Sequence, residues 1–490
     1  MKRFLVFMIL LLPLPARTQR AVEFGEFFVD RTMRIDYYHV GDYNEDFITL
    51  DKIYQQGIWA GTTNNLIDPL NNGRYRVMVY DVLTNTLVFS RGYDAYFGEY
   101  RTTDPARHGV KRTFHETVLI PYPKRPVYLV IEKRDRTNIC QPLYQQKIDP
   151  ASYHIITESP QRGDRIYETL KNGDPHTKVD LVILGDGYAG TEQDKFAADV
   201  KRFTDIFFAL EPYKSHKDRF NITGIYSPSP ESGVDEPRQG SYKKTLLNAT
   251  FNSLDSDRYL LTEENKLVRD IAAQVPYDAL LIMVNSRRYG GGGFYNVMTL
   301  FTSDGPTSDL VFHHEFGHGF GGLADEYYTS ETVQEEFFPP GVEPTEPNLT
   351  ALLDPTHLKW RDLVSPGTSI PTEWGQATFD SLSVALGALA AERRSAVEQL
   401  KKGGAPDSVI KRLESGFIGR QEELGRKVTG FMEHHPLRGK IGAFQGGGFV
   451  PKGFYRPTVN SIMHQFNATD RTFFSVNEQA IIRVIDYYSR

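Results

Sequence analysis

Hydrophobic residues follow one rhythm early in this chain and another later. From about residue 21 to 150, apolar and polar positions alternate in short runs, such as 75–82, 86–89 and 126–131. Asn71-Asn72-Gly73 supplies a turn between runs, and few stretches have helical spacing. This pattern predicts an all-β sandwich over residues 20–155, serving as a structural or spacing domain. After a polar stretch at 158–174 the pattern changes. An apolar strand at 179–184 ends in Gly185-Asp186-Gly187, a tight turn without the third glycine and lysine of a phosphate loop. Phe196, Val200, Phe203, Phe207 and Leu210 then mark one face of a helix. A second helix, about 262–274, leads into a strand at 277–284. Glycines 290–293 precede an extended segment at 294–301, read as an edge strand able to pair with an extended substrate. Another helix begins near Thr307. Strands alternating with helices predict an α/β layer around a mixed sheet.

Residues 331 to about 427 interrupt that layer. A proline-rich stretch is followed by two helical patterns separated at Gly403-Gly404, which predicts an inserted αα-hairpin. Strand and turn character returns at 441–455, and a last helix spans about 477–488. The expected architecture is multidomain α+β: the β-sandwich, then an α/β domain over 156–490 carrying the helical insertion.

Composition narrows the functional classes. A net charge of −6 without a dense basic patch disfavours nucleic-acid binding. Met1-Lys2-Arg3, a short apolar run and Pro13-Leu14-Pro15-Ala16 describe a signal peptide over residues 1–19. That run falls short of the roughly 20 residues a bilayer crossing requires, and no other stretch qualifies. Cys140 is the only cysteine, so an intrachain disulfide is excluded. Export without disulfides points to a periplasmic or secreted bacterial protein. No pattern fixes the oligomeric state.

The chemistry concentrates at His314-Glu315-Phe316-Gly317-His318. On a helix, positions i and i+4 share a face, so both imidazoles reach one metal ion. Glu315 projects to the side, where a general base belongs beside a metal-activated water. A catalytic zinc needs a third protein ligand. Gly321-Gly322 lets the chain reverse just past the helix, and Asp325 or Glu326 then swings back, Asp325 being preferred. His313 points about 100° away from His314 and reads as a packing or supporting residue. Near the end, Ser461-Ile462-Met463-His464 has the form of a Met-turn, with Met463 as an apolar floor beneath the metal.

These strings together resemble the IgA peptidase family of secreted bacterial metallo-endopeptidases. The matching pieces are 182–188, Val284-Asn285-Ser286 with Tyr289-Gly290-Gly291, 314–327, and 455–463. They span most of 156–490, and the preceding β region looks like the family's N-terminal domain. The resemblance implies a metzincin-like zinc endopeptidase with one zinc ion per chain, His314 and His318 as ligands, and Glu315 as base. The long metzincin motif has a histidine six residues after its second ligand; Ala324 stands there, which shifts the third ligand to Asp325. The expected substrate is a protein or glycoprotein, and the family name does not make it immunoglobulin. Tyr455 and Arg456, neighbours of the Met-turn in sequence, are candidates for steadying the oxyanion. The rival expectations are a secreted glycan or protein binder with a vestigial metal site, and a zinc hydrolase acting on a non-peptide bond.

Overall fold

The computed structural model describes residues 22–157, 162–328, 337–464 and 471–490; the signal-peptide segment and the start of the insertion lie outside them. The N-terminal region carries β1 (Phe28–Gly41), β2 (Asp46–Gln55), β3 (Tyr75–Asp81), β4 (Leu87–Tyr93), β5 (Arg112–Pro123), β6 (Val127–Arg134) and β7 (Cys140–Ile148). They form two antiparallel sheets, β2-β1-β5 and β4-β3-β6-β7. Alternate residues of both, including Met33, Ile35, Val77, Val79, Val118, Ile120, Leu129 and Ile131, fill one shared core. Two short helices, Tyr96–Tyr100 and Asp104–Arg107, interrupt a region expected to be purely β. Their apolar residues Tyr96, Phe97 and Ala106 pack with the second region instead of the sandwich interior.

The second region is built on six strands: β8 (Arg165–Leu170), β9 (Val179–Asp186), β10 (Phe220–Tyr226), β11 (Ala279–Val284), β12 (Gly291–Phe294) and β13 (Met298–Thr302). Their order is β12-β13-β11-β9-β10-β8. The four inner strands run parallel, and the two edge strands, β8 and β12, are antiparallel to their neighbours. The fold is therefore mixed α+β. Every residue of β9 is buried, which explains its unbroken apolar run. Helix Gln193–Phe207 lays Phe196, Val200, Phe203 and Phe207 into a core that also holds Phe312, Phe316 and Met463.

The segment expected as one edge strand at 294–301 is two strands joined by a turn at 295–297. Asn296 sits at φ 56°, and its N–H donates to Gly319 O at 2.9 Å, so the chain reverses there. The edge is thus the glycine strand β12, while β13 is interior. Helices Gln376–Lys402 and Asp407–Glu433 form the inserted hairpin, which runs past residue 427 to Glu433. Among the described residues, no helix is long and apolar enough to cross a membrane.

Candidate metal centre

Helix Ser308–Gly319 packs directly against the glycine edge strand. A Cβ added at Gly293 would meet Glu315 O at 2.4 Å, so only glycine admits this approach. The helix ends in a tight reversal: Gly322 N–H donates to His318 O at 3.1 Å and Leu323 N–H to Gly317 O at 3.1 Å. Gly322 adopts φ +62°, the left-handed conformation that glycine tolerates best. The turn returns Asp325 to the face carrying both histidines.

Three ligand atoms converge there. His314 Nε2 and His318 Nε2 lie 3.0 Å apart, and Asp325 Oδ1 is 3.1 Å from the first and 3.3 Å from the second. Donors bound tetrahedrally at zinc distances are spaced about 3.3–3.4 Å apart. The second ring nitrogens settle what the first can offer. His314 Nδ1 donates to Ile462 O at 2.9 Å, and His318 Nδ1 donates to Leu323 O at 2.6 Å. In neutral rings both Nε2 lone pairs then face inward, where two acceptors and a carboxylate repel unless a cation joins them. Among the described residues, the buried Asp325 Oδ1 has no hydrogen-bond donor, so this donor set fits a metal ion. Burial opposes charge on the His318 ring, but the nearby Asp325 carboxylate outweighs it and lifts the His318 pKa to about 9. Burial works against the Asp325 carboxylate too, yet the histidines keep it far below the usual carboxylate range.

Glu315 lines the same cleft, and burial pushes its carboxyl upward. Met463 is fully buried beneath the helix, its Sδ 2.8 Å from where a Cβ on Gly317 would stand. The same loop supplies the Ile462 carbonyl that fixes the His314 tautomer. His313 is a packing residue, donating from Nδ1 to Asp309 O at 2.9 Å and stacking on Tyr213.

Glu326 faces the other way. Its Oε1 accepts from Asn348 Nδ2 at 3.0 Å and Asn477 Nδ2 at 2.9 Å, and its Oε2 from Ser461 Oγ at 2.7 Å. Successive side chains of an irregular extended segment point to opposite sides, so Asp325 and Tyr327 line the cleft while Glu326 ties four segments together beneath it.

Tyr455 and Arg456 are not brought to the centre. Arg456 is fully buried, donating to Gln445 O at 3.0 Å, Gly446 O at 2.7 Å and Val459 O at 3.0 Å, and lying 4.4 Å from the Trp374 ring centre. Burial lowers its pKa to about 10. Tyr455 packs against the cluster of Leu358 and Trp360. Sequence adjacency to the Met463 turn misled because strand and turn carry these side chains to a different face. Arg258, Tyr259, Tyr289 and Tyr327, which sequence reading left without a role, line the cleft instead. Arg258 Nη2 donates to Tyr327 Oη at 2.6 Å. Gly73, Arg74, Asp94 and Glu99 of the N-terminal region form part of the cleft wall.

A pair of imidazoles, a carboxylate and a second carboxylate beside them, set in a cleft along a sheet edge, is the equipment of a metallopeptidase. The chain belongs to the IgA peptidase M64 family: the model of that family matches residues 167–485, and that of the peptidase M64 N-terminus matches residues 23–145. No curated protein matches it. The family makes the chain a peptidase with a protein substrate, and its members are metallopeptidases.

Proposed function

We propose that this chain is an exported, zinc-dependent endopeptidase of metzincin-like design, periplasmic or secreted, acting on protein or glycoprotein substrates. The observation carrying this reading is the convergence of His314 Nε2, His318 Nε2 and Asp325 Oδ1 within 3.0–3.3 Å, with both Nδ1 atoms already committed to carbonyls. Zinc held by these three residues would supply a Lewis acid that acidifies water and polarises the scissile carbonyl. Glu315, on the same helix and lining the same cleft, its pKa raised by burial, accepts the proton of the attacking water and returns it to the leaving amine. Arg258 orients the Tyr327 hydroxyl toward the cleft, where both donate to negative charge developing on the carbonyl oxygen. Met463 serves as the Met-turn floor that keeps the histidine-bearing helix dry from below. The glycine strand β12, at the sheet edge beside Glu315, provides backbone for pairing with an extended substrate.

The test is Glu315→Gln in purified zinc-loaded protein, read by casein cleavage and metal analysis together. Cleavage falls about 10²–10⁴-fold while one zinc per chain remains. Undiminished cleavage by the variant, or wild-type protein that binds no zinc, would sink the proposal.

A further inference from the structure

The N-terminal region does more than abut the cleft; it places in it a carboxylate that none of the described residues pairs. Glu99 lies on helix Tyr96–Tyr100 and lines the cleft together with His318, Asp325 and Tyr259. Among the described residues, its carboxylate makes no hydrogen bond and no ion pair. Its acidic neighbours add to the cost of its charge. Asp94 accepts the Arg74 backbone N–H at 2.9 Å and adds a second negative charge. The Arg74 guanidinium, on the same wall, is engaged with Phe337, lying 3.9 Å from its ring centre with Nη2 3.5 Å from its carbonyl oxygen, and among the described residues it forms no ion pair with Glu99. Glu346 completes the wall with another carboxylate. Burial pushes Glu99 to about 7, with Arg74 pulling the other way.

A half-buried carboxylate without a direct cationic partner is costly, and a cationic ligand arriving in the cleft removes much of that cost. An acidic side chain would instead meet Glu99, Asp94 and Glu346 together. Resting on the peptidase reading above, we propose that Glu99 is a specificity-determining residue that receives the ammonium or guanidinium of a lysine or arginine flanking the scissile bond. The substrate is accordingly a basic segment of polypeptide. The N-terminal region, which contributes none of the proposed metal ligands, then selects what the metal helix cleaves.

The experiment uses full-length zinc-loaded protein and matched peptides carrying Lys, Arg, Gln or Glu at each position flanking a cleaved bond. At one position Lys and Arg should exceed Gln by about 10–100-fold in kcat/KM, the range of a charge-assisted hydrogen bond. Glu99→Gln should collapse the Lys-to-Gln ratio to near one, chiefly through KM, and Glu99→Lys should favour the Glu peptide. Should either variant fail to fold, the wild-type ratio and its decline with salt still decide. Cleavage without charge preference, or a ratio that survives Glu99→Gln, overturns the inference and leaves the peptidase reading intact. Failure to cleave any peptide removes both.

Discussion

Asp36, Asp51 and His115 gather in the N-terminal region the same residue types that His314, His318 and Asp325 gather in the second region. The surroundings of the two clusters differ in charge and in tautomer. Asp36 is already paired with the buried Arg34, at 2.6 and 2.8 Å, and accepts from Thr117 Oγ1 at 2.6 Å. His115 Nδ1 accepts from Asn265 Nδ2 at 3.1 Å, so its proton sits on Nε2, the atom facing Asp36 and Asp51 at 3.6 and 3.5 Å. A protonated nitrogen beside a carboxylate that already has its cation has no use for a metal. At the other cluster both Nδ1 atoms donate outward, leaving lone pairs inward and a carboxylate oxygen with no donor among the described residues. Residue type and proximity are thus insufficient; the partner of the second ring nitrogen decides.

The sharpest way to break this contrast is to remove one member of each cluster. Asp325→Asn should lower zinc affinity at least about 100-fold, because the lost group is a charged ligand and not a supporting one. His115→Asn should leave zinc content unchanged, measured by metal analysis after dialysis; equal loss in both would dissolve the distinction. Arg34→Met tests the cation of the N-terminal cluster. It strands Asp36 in a buried site and should cost about 3–5 kcal/mol of stability in denaturant unfolding, with zinc content preserved.

The smallest effect concerns pH and a further histidine that carboxylates hold as a charge. His39 is buried between Glu116 at 3.0 Å and Asp46 at 2.9 Å. Burial opposes its charge, but the two carboxylates outweigh it and raise its pKa. The native state therefore keeps a proton that the unfolded chain releases near about 6.5. Its stabilisation is complete below that value and is lost as pH rises through the raised pKa. Asp46 behaves oppositely: burial acts upward, but His39 and Lys133 hold it at about 2, so its contribution is lost as pH falls through that value. Melting temperature should decline on the alkaline side, and His39→Gln should flatten that decline; an unchanged slope would count against His39 as the titrating group.

Much of the fold was legible locally. The helical stripe from Phe196 to Phe207 and the unbroken run of β9 carry their burial in their spacing. The split of residues 294–301 was not, because Asn296 reverses the chain only with Gly319 O waiting to receive its N–H. The site divides in the same way. Helix period alone sets His314 and His318 on one face, and paired glycines alone permit the reversal that follows. Which side chain then turns inward was decided elsewhere: Glu326 is claimed by Asn348, Ser461 and Asn477, leaving Asp325 to the histidines.

The sequence by itself determined the ligand types, their helical spacing and the flexible turn, since these depend on neighbours a few residues away. Tertiary structure alone decided the His314 tautomer, through Ile462 O, and the cleft wall, through Arg258 and Glu99. Hydrogen-bond acceptors and charges brought together across 50 to over 200 residues leave no periodic trace along the chain, so only the packed molecule assigns them.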